Sequence, residues 1–264
     1  MTTASTATVP DAIAHHPVVP PDQWLTQRKA LLQREKELMR LHDQIAQERR
    51  ALPWERVEKS YLFVADDGVR TLADLFDGRR QLIVQHFMLG PDWEQGCPSC
   101  SYMADHTDGM NVHLAQRDIS FVAVSRAPLA EIARFRQRMG WQFKWVSSAG
   151  SDFNFDFHVS FTPKERASGA VYYNYNATDF PAEEAPGVSV FYRGDDGAVF
   201  HTYSTFGRGV EVMMGAYAMM DLTPKGRSER DVPNKMEWVR HHDRYPPSPA
   251  VKAAATAACC DSRG

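Results

Sequence analysis

Two apolar runs limit the fold most strongly. Residues 81–88 (Q-L-I-V-Q-H-F-M) and 119–124 (I-S-F-V-A-V) have the length of strands rather than helices. Neither alternates strictly with polar residues, so both read as strands buried on two faces. Residues 98–117 lie between them and read as a helix. Residues 128–139 form a second helix, with Pro128 suited to its first turn. A strand–helix–strand–helix order implies parallel strands joined by right-handed crossovers, and so an α/β class.

The rest of the chain is arranged around that unit. Residues 1–21 hold Pro10, Pro17 and Pro20 and read as a disordered lead. Residues 22–53 form one amphipathic helix, with Asp22 as N-cap and Pro53 as its stop. Its apolar residues recur as Trp24/Leu25, Leu31/Leu32, Leu38/Met39 and Ile45. Arg28, Glu35 and His42 occupy the intermediate heptad positions, which argues against an ordinary coiled-coil seam. Two readings follow: a helix packed on its own domain, or an arm joining two copies as a homodimer.

Residues 54–227 are the main domain, its compact part starting near Val57. It opens with a strand at 61–64, a turn at Asp66-Asp67-Gly68 and a short helix at 72–76 capped by Thr71. Residues 141–185, rich in aromatic residues and Asn, read as an insertion. A hairpin of 188–192 and 199–203 turns at Gly194-Asp195-Asp196-Gly197, and 209–221 is a terminal helix. Met213, Met214, Met219 and Met220 on that helix read as core packing. Residues 228–264, with repeated prolines and an alanine-rich end, read as a mobile tail.

Composition narrows the function. Hydrophobic residues make up 43%, charged residues 24%, and 30 basic against 33 acidic residues leave a formal charge of -3. That balance suits a soluble globular protein and gives no footing for nucleic acid or an anionic membrane. No apolar run approaches the ~20 residues of a membrane span. The first residues lack a secretory signal's basic start and apolar core, so a cytoplasmic location is expected. Four cysteines are too few for a disulfide scaffold.

Cys97-Pro98-Ser99-Cys100 stands where an apolar strand gives way to a helix. A helix N-terminus offers unpaired N–H groups and partial positive charge, and both stabilise a thiolate. Cys97 is therefore the candidate nucleophile and Cys100, one turn further in, the resolving thiol. Pro98 loses nothing in a first turn by lacking an N–H. Trp93 and Tyr102 flank the pair as candidate walls of a substrate groove. Cys97 and Cys100 with His106 and Asp105 make an incomplete zinc set. The remaining cysteines, Cys259-Cys260, lie far along the tail with His241-His242 upstream, so no metal is expected. Cys259-Cys260 read as part of an untidy tail, with an electron shuttle as the alternative. Arg126, Arg138 and Arg208 near element ends are solvated charges or, alternatively, an anion patch.

Further marks run along the chain. They are Trp24-Leu25, Arg49-Arg50-Ala51-Leu52-Pro53-Trp54, Leu75-Phe76-Asp77-Gly78-Arg79 and His86-Phe87-Met88. They continue with Gly96-Cys97-Pro98-Ser99-Cys100-Ser101, Arg138-Met139-Gly140-Trp141, Phe153-Asn154, His201-Thr202-Tyr203-Ser204 and Thr223-Pro224-Lys225-Gly226-Arg227. With them the chain resembles a bacterial thioredoxin-like family catalogued as domain-of-unknown-function 899. The resemblance implies a thioredoxin-like α/β fold of the extended, peroxiredoxin-like branch, with the long N-terminal helix and the insertion added. In thioredoxins a cis-proline beside the dithiol opens the strand before the last hairpin turn. Pro186 stands at the matching point. Thioredoxins also place a buried acid in the strand leading to the dithiol. Here that strand offers Gln85 and His86, one of which should face the core, and His86 is the candidate for proton transfer. Glu94 replaces the Thr or Ser that precedes a peroxiredoxin's reactive cysteine.

The first functional expectation is a thiol–disulfide oxidoreductase acting on a protein or small-molecule disulfide or thiol, with the Cys97–Cys100 disulfide as its only redox group. A peroxiredoxin-like peroxidase using the same two residues is the second. A non-enzymatic redox-sensing module is the third.

Overall fold

The computed structural model describes residues 16–230, 232–233 and 235–246. The chain opens with a 31-residue helix, α1 (Pro21–Ala51), started by Pro20 and Pro21. Strand β1 (Glu55–Arg56) follows, then the hairpin β2 (Leu62–Ala65) and β3 (Gly68–Thr71). A 3₁₀ turn, Asp74–Phe76, leads into β4 (Gln81–His86). Thr71 and Asp74 bind each other's backbone N–H groups across the start of that turn.

The core of the sheet comes next. It consists of α2 (Pro98–Thr107), α3 (Asn111–Ala115), β5 (Ile119–Ser125), α4 (Leu129–Met139) and β6 (Lys144–Ser147). Gly140 ends α4 at a φ of 70°, a left-handed turn that glycine adopts without a Cβ penalty. Short helices α5 (Phe153–Asp156) and α6 (Pro163–Ala167) and the hairpin β7 (Val171–Tyr173) and β8 (Asn176–Thr178) follow. The chain then returns through β9 (Gly187–Arg193) and β10 (Val199–Phe206) to a 3₁₀ turn, Gly207–Met213, and α7 (Gly215–Met220).

The eight-stranded sheet runs β1-β10-β9-β4-β5-β6-β2-β3. Strands β4, β5 and β6 are parallel neighbours, while β9 pairs antiparallel with β4 and with β10. The central order β10-β9-β4-β5, with α2 between the two parallel strands and α7 after the last, is the thioredoxin-like arrangement. It is enlarged here at both sheet edges and by α1.

Period-2 alternation assigns each side chain to a layer. Phe121 and Ala123 of β5 join Phe87, Phe135, Trp141 and Trp145 in the core beneath α2 and α4. Val122 and Val124 face the opposite way, with Leu82, Val84, Phe153 and Phe191. A third cluster ties the β7–β8 hairpin to Phe206 through Val159, Phe161 and Tyr173.

Three sequence expectations change. The supposed insertion is partly sheet, because Lys144–Ser147 pairs with β5 over Val122–Ser125; the excursion proper begins after Ser147. Residues 228–246 are not a free tail where described. Val239 and His241 are buried, and Trp238 lies edge-on to Tyr102 at 5.9 Å. This segment packs through single side chains and has no helix or strand period to announce it. Finally, α1 does not pack on its own domain: among the described residues none of its side chains is buried. Residues 1–15 and 247–264, with Cys259-Cys260, lie outside the described residues.

No helix among the described residues is long and apolar enough to cross a membrane. Phe191 is fully buried in the middle of the sheet. Replacing it by Ala should lower the unfolding free energy by about 3–5 kcal/mol, read from denaturant unfolding monitored by circular dichroism.

Candidate functional site

The site is built where β4 ends. The chain leaves the sheet through a loop at 87–97, and the Cys97 N–H returns to the Met88 carbonyl at 3.0 Å. Gly96 passes through a gap that only glycine fits. A Cβ there would stand 2.6 Å from Phe87 and 2.7 Å from Phe135, two rings buried under α4. Packing thus fixes the residue before the cysteine, and Cys97 takes the N-cap position of α2 with φ -57° and ψ 131°. The Cys97 carbonyl accepts from the Ser101 N–H and Oγ, both at 2.9 Å.

The two thiols are free and differ in environment. Cys97 is partly exposed and Cys100 is buried. The Cys97 sulfur faces the Cys100 thiol and the first-turn groups of Ser99 and Cys100 at the head of α2. These donors lower the Cys97 pKa to about 7, against an opposing effect of burial. Cys100 moves the other way, pushed well up by donating to Cys97 and by its own burial. As pH rises through neutrality the outer sulfur loses its proton first, and the inner one keeps its own.

A cleft of about 1600 Å³ opens beside Cys97. Met88, Met103, Pro186, Val210 and Met214 give it an apolar wall, and Lys225, Arg227 and Arg230 of the C-terminal segment stand on its other side. Arg227 is engaged by Asp221 at 2.7 Å and Glu211 at 2.9 Å. Pro186 therefore shares the cleft with Cys97, as its position in the sequence suggested, but its peptide bond is trans: among the described residues none is cis.

The other candidates are placed differently. His86 is on the wrong face of β4. Alternation sends Gln85 toward α2, where its Nε2 donates to the Cys100 carbonyl at 3.2 Å, and sends His86 to the opposite layer against Phe153 and Phe157. There His86 Nε2 meets Ser189 Oγ at 2.7 Å, in a row continuing through Ser204 to His201. Full burial lowers its pKa to about 3, so it stays neutral and does not serve the dithiol as a proton carrier. Tyr102 is also turned away from the cleft, its ring covered by Tyr217 and Trp238. Trp93 stands in the loop before Cys97, its Nε1 donating to Glu183 at 2.9 Å, and is not among the cleft-lining residues.

Arg126, Arg138 and Arg208 do not form an anion patch, because each is paired. Arg126 donates to Glu184 at 2.6 Å, and burial pushes Glu184 up to about 6. Arg208 pairs with Glu211. Arg138 grips Asp243 with two bonds of 2.8 Å and reaches Gln95 at 3.2 Å. Among the described residues, no three His, Cys, Asp or Glu side chains gather to hold a metal. His106 meets the Tyr102 carbonyl and the Ala216 N–H, and His242 meets Asp105.

The C-terminal segment supplies what sequence reasoning missed. His241 Nε2 meets the Gly96 carbonyl at 2.8 Å, and Arg138 braces its other ring nitrogen at 3.2 Å. Glu229 accepts from the Tyr217 hydroxyl, the Trp238 indole and the Met236 N–H, closing the segment over α2. The only signal was the apolar pair Trp238-Val239 inside a polar stretch.

A family model described as "Bacterial protein of unknown function (DUF899)" matches residues 13–245, most of the chain. The chain belongs to the DUF899 family. No curated protein matches it. Solved structures of similar outline include peroxidoxin BcpB from Mycobacterium tuberculosis, at 14% identity and a TM-score of 0.42 over 62% of this chain and 97% of that one. Peroxiredoxin Q from Xanthomonas campestris is similar at 12% identity and a TM-score of 0.42, over 62% and 95%. A protein from Chlorobium tepidum described as thiol:disulfide interchange protein DsbE is similar at 12% identity and a TM-score of 0.38, over 62% and 97%. The fold of this DUF899 chain rests on its own strand order, and its chemistry on the two sulfurs.

Alkylation of Cys97 by iodoacetamide should rise with pH to half its maximal rate near pH 7, where the outer thiol loses its proton. Cys100→Ala removes the largest stabilising donor, so the midpoint should move up toward the ordinary thiol value of roughly 8.5, followed by mass spectrometry. Gly96→Ala forces a Cβ against two buried rings. It should lower stability by about 1–3 kcal/mol, measured as a fall in thermal midpoint.

Proposed function

We propose that this protein is a thiol–disulfide oxidoreductase, with Cys97 as nucleophile and Cys100 as resolving thiol. The observation that carries this reading is the asymmetric pair: a partly exposed sulfur at a helix N-terminus, its pKa lowered to about 7, beside a buried thiol that donates to it.

The chemistry follows from that asymmetry. The Cys97 thiolate attacks one sulfur of a substrate disulfide. A Cys97–substrate disulfide forms, and the other substrate sulfur leaves as a thiolate that takes a proton from water. Formation of this mixed disulfide removes the anion that had held the Cys100 proton most strongly. Cys100 then gives its proton to water more readily, and its thiolate attacks the Cys97 sulfur. The Cys97–Cys100 disulfide forms, and the substrate departs as its second thiolate. The substrate gains two electrons and the protein loses two, to be returned by an external dithiol reductant. No cofactor beyond the cysteine pair takes part.

The cleft indicates the substrate class. Its volume of about 1600 Å³ exceeds the ~300–1,000 Å³ of ordinary small-molecule pockets, and Met88, Met103 and Pro186 beside the sulfur are apolar. A disulfide carried on a protein segment suits that shape better than a small hydroperoxide. Pro186 is the groove residue of this reading, while Trp93 and Tyr102 lie outside the cleft. The scarcity of cysteine suits a reducing, cytoplasmic setting, and a homodimer through α1 is the assembly proposed below.

Reduction of insulin disulfides by the dithiothreitol-primed protein tests the reading. The wild type should turn over, Cys97→Ser should be inactive, and Cys100→Ser should stall as a mixed disulfide visible by mass spectrometry. Turnover that survives Cys97→Ser, or hydroperoxide consumption without any disulfide reduction, would overturn it.

A further inference from the structure

Helix α1 exposes a long apolar stripe that nothing among the described residues buries. Trp24 is 58% exposed, Leu31 54%, Leu38 65% and Met39 66%. Near the helix's far end, Arg49 lies over the Tyr203 ring at 5.5 Å, touching the body, while no side chain of the helix is buried. Soluble proteins seldom leave so large an apolar patch uncovered. At 1.5 Å per residue the 31 residues of α1 extend about 46 Å.

The order of residues along the stripe says what covers it. At 3.6 residues per turn, Arg28 and Glu35 run down its middle. Trp24, Leu31 and Leu38 line one side, and Leu25, Leu32 and Met39 line the other. Within the chain, Arg28 Nη2 donates to Glu35 at 2.8 Å, but Arg28 Nη1 has no partner. We infer that α1 pairs antiparallel with α1 of a second copy, about a two-fold axis passing between Leu31 and Leu32.

That axis is the one the sequence fits. It sets Leu31 against the partner's Leu32, Leu25 against the partner's Leu38, and Trp24 against the partner's Met39. It also sets Arg28 against the partner's Glu35, twice by symmetry. Every apolar position meets an apolar position, and every central charge meets its opposite. A parallel in-register pair fails on the same residues. It would face Arg28 with the partner's Arg28 and Glu35 with the partner's Glu35 inside an apolar seam, where like charges are strongly unfavourable. The central pair therefore specifies direction and register, the use to which polar seam residues are best suited.

The inference does not depend on the redox reading and is tested separately, on the full-length chain. Sedimentation equilibrium at micromolar concentration should give a mass twice the 29.9 kDa of one chain. Leu31→Asp puts two carboxylates into the seam of each dimer and should weaken self-association at least about 100-fold. Glu35→Arg faces arginine with arginine and should weaken it roughly tenfold. The double variant Arg28→Glu with Glu35→Arg should restore wild-type association, because the pair is re-formed with its charges exchanged. Since α1 contributes nothing to the core, each variant should keep the wild-type circular dichroism and Cys97 alkylation rate. A monomeric wild type overturns the inference, as does a dimer indifferent to Leu31→Asp. A dimer that tolerates Glu35→Arg, or that the double variant does not restore, overturns the antiparallel register.

Discussion

The proton between the two sulfurs is the interaction on which the rest of the site depends. Cys100 is buried in the core beside β4, and its thiol keeps its proton next to the Cys97 sulfur. Cys97 sits at the open end of the same helical turn, where backbone donors add to that bond. Neither sulfur would behave this way alone. A lone buried thiol is inert, and a lone N-terminal thiol lacks its strongest donor.

Holding that pair in place falls to residues distant in sequence. Gly96 threads between Phe87 and Phe135, one from the end of β4 and one from α4. His241 then fastens the Gly96 carbonyl from the far end of the chain, with Arg138 and Asp243 bracing it. Buried polar groups need such partners, because an unmade hydrogen bond in the interior is expensive. The C-terminal segment is thus part of the site's frame, and it also supplies one side of the cleft. A polar, proline-rich composition concealed this role, since the anchors Trp238, Val239 and His241 follow no helical or strand period.

The protein combines two independent devices. One is the enlarged thioredoxin-like body, whose sheet delivers the dithiol to a cleft. The other is α1, which precedes β1 and carries an exposed apolar stripe. The inferred two-fold pairing uses α1 residues alone, none of which lines the cleft. It hides an apolar surface that would otherwise invite aggregation.

Local pattern was enough to read much of this from the residues alone. The apolar runs fixed β4 and β5, the strand–helix alternation fixed their parallel pairing, and Cys97-Pro98-Ser99-Cys100 marked the head of α2. These features are encoded within a few residues of one another, where periodicity and helix-terminus physics act. What only the tertiary structure decided involves facing and distance. It decided that Gln85 rather than His86 turns toward the cysteines, that Pro186 reaches the cleft through a trans bond, that Tyr102 is roofed by Trp238, and that residues beyond Gly226 close over α2. A strand's alternation shows that two neighbours face opposite ways but not which way each faces. That choice is made by packing against other elements, Cys100 of α2 on one face and Phe153 and Phe157 on the other.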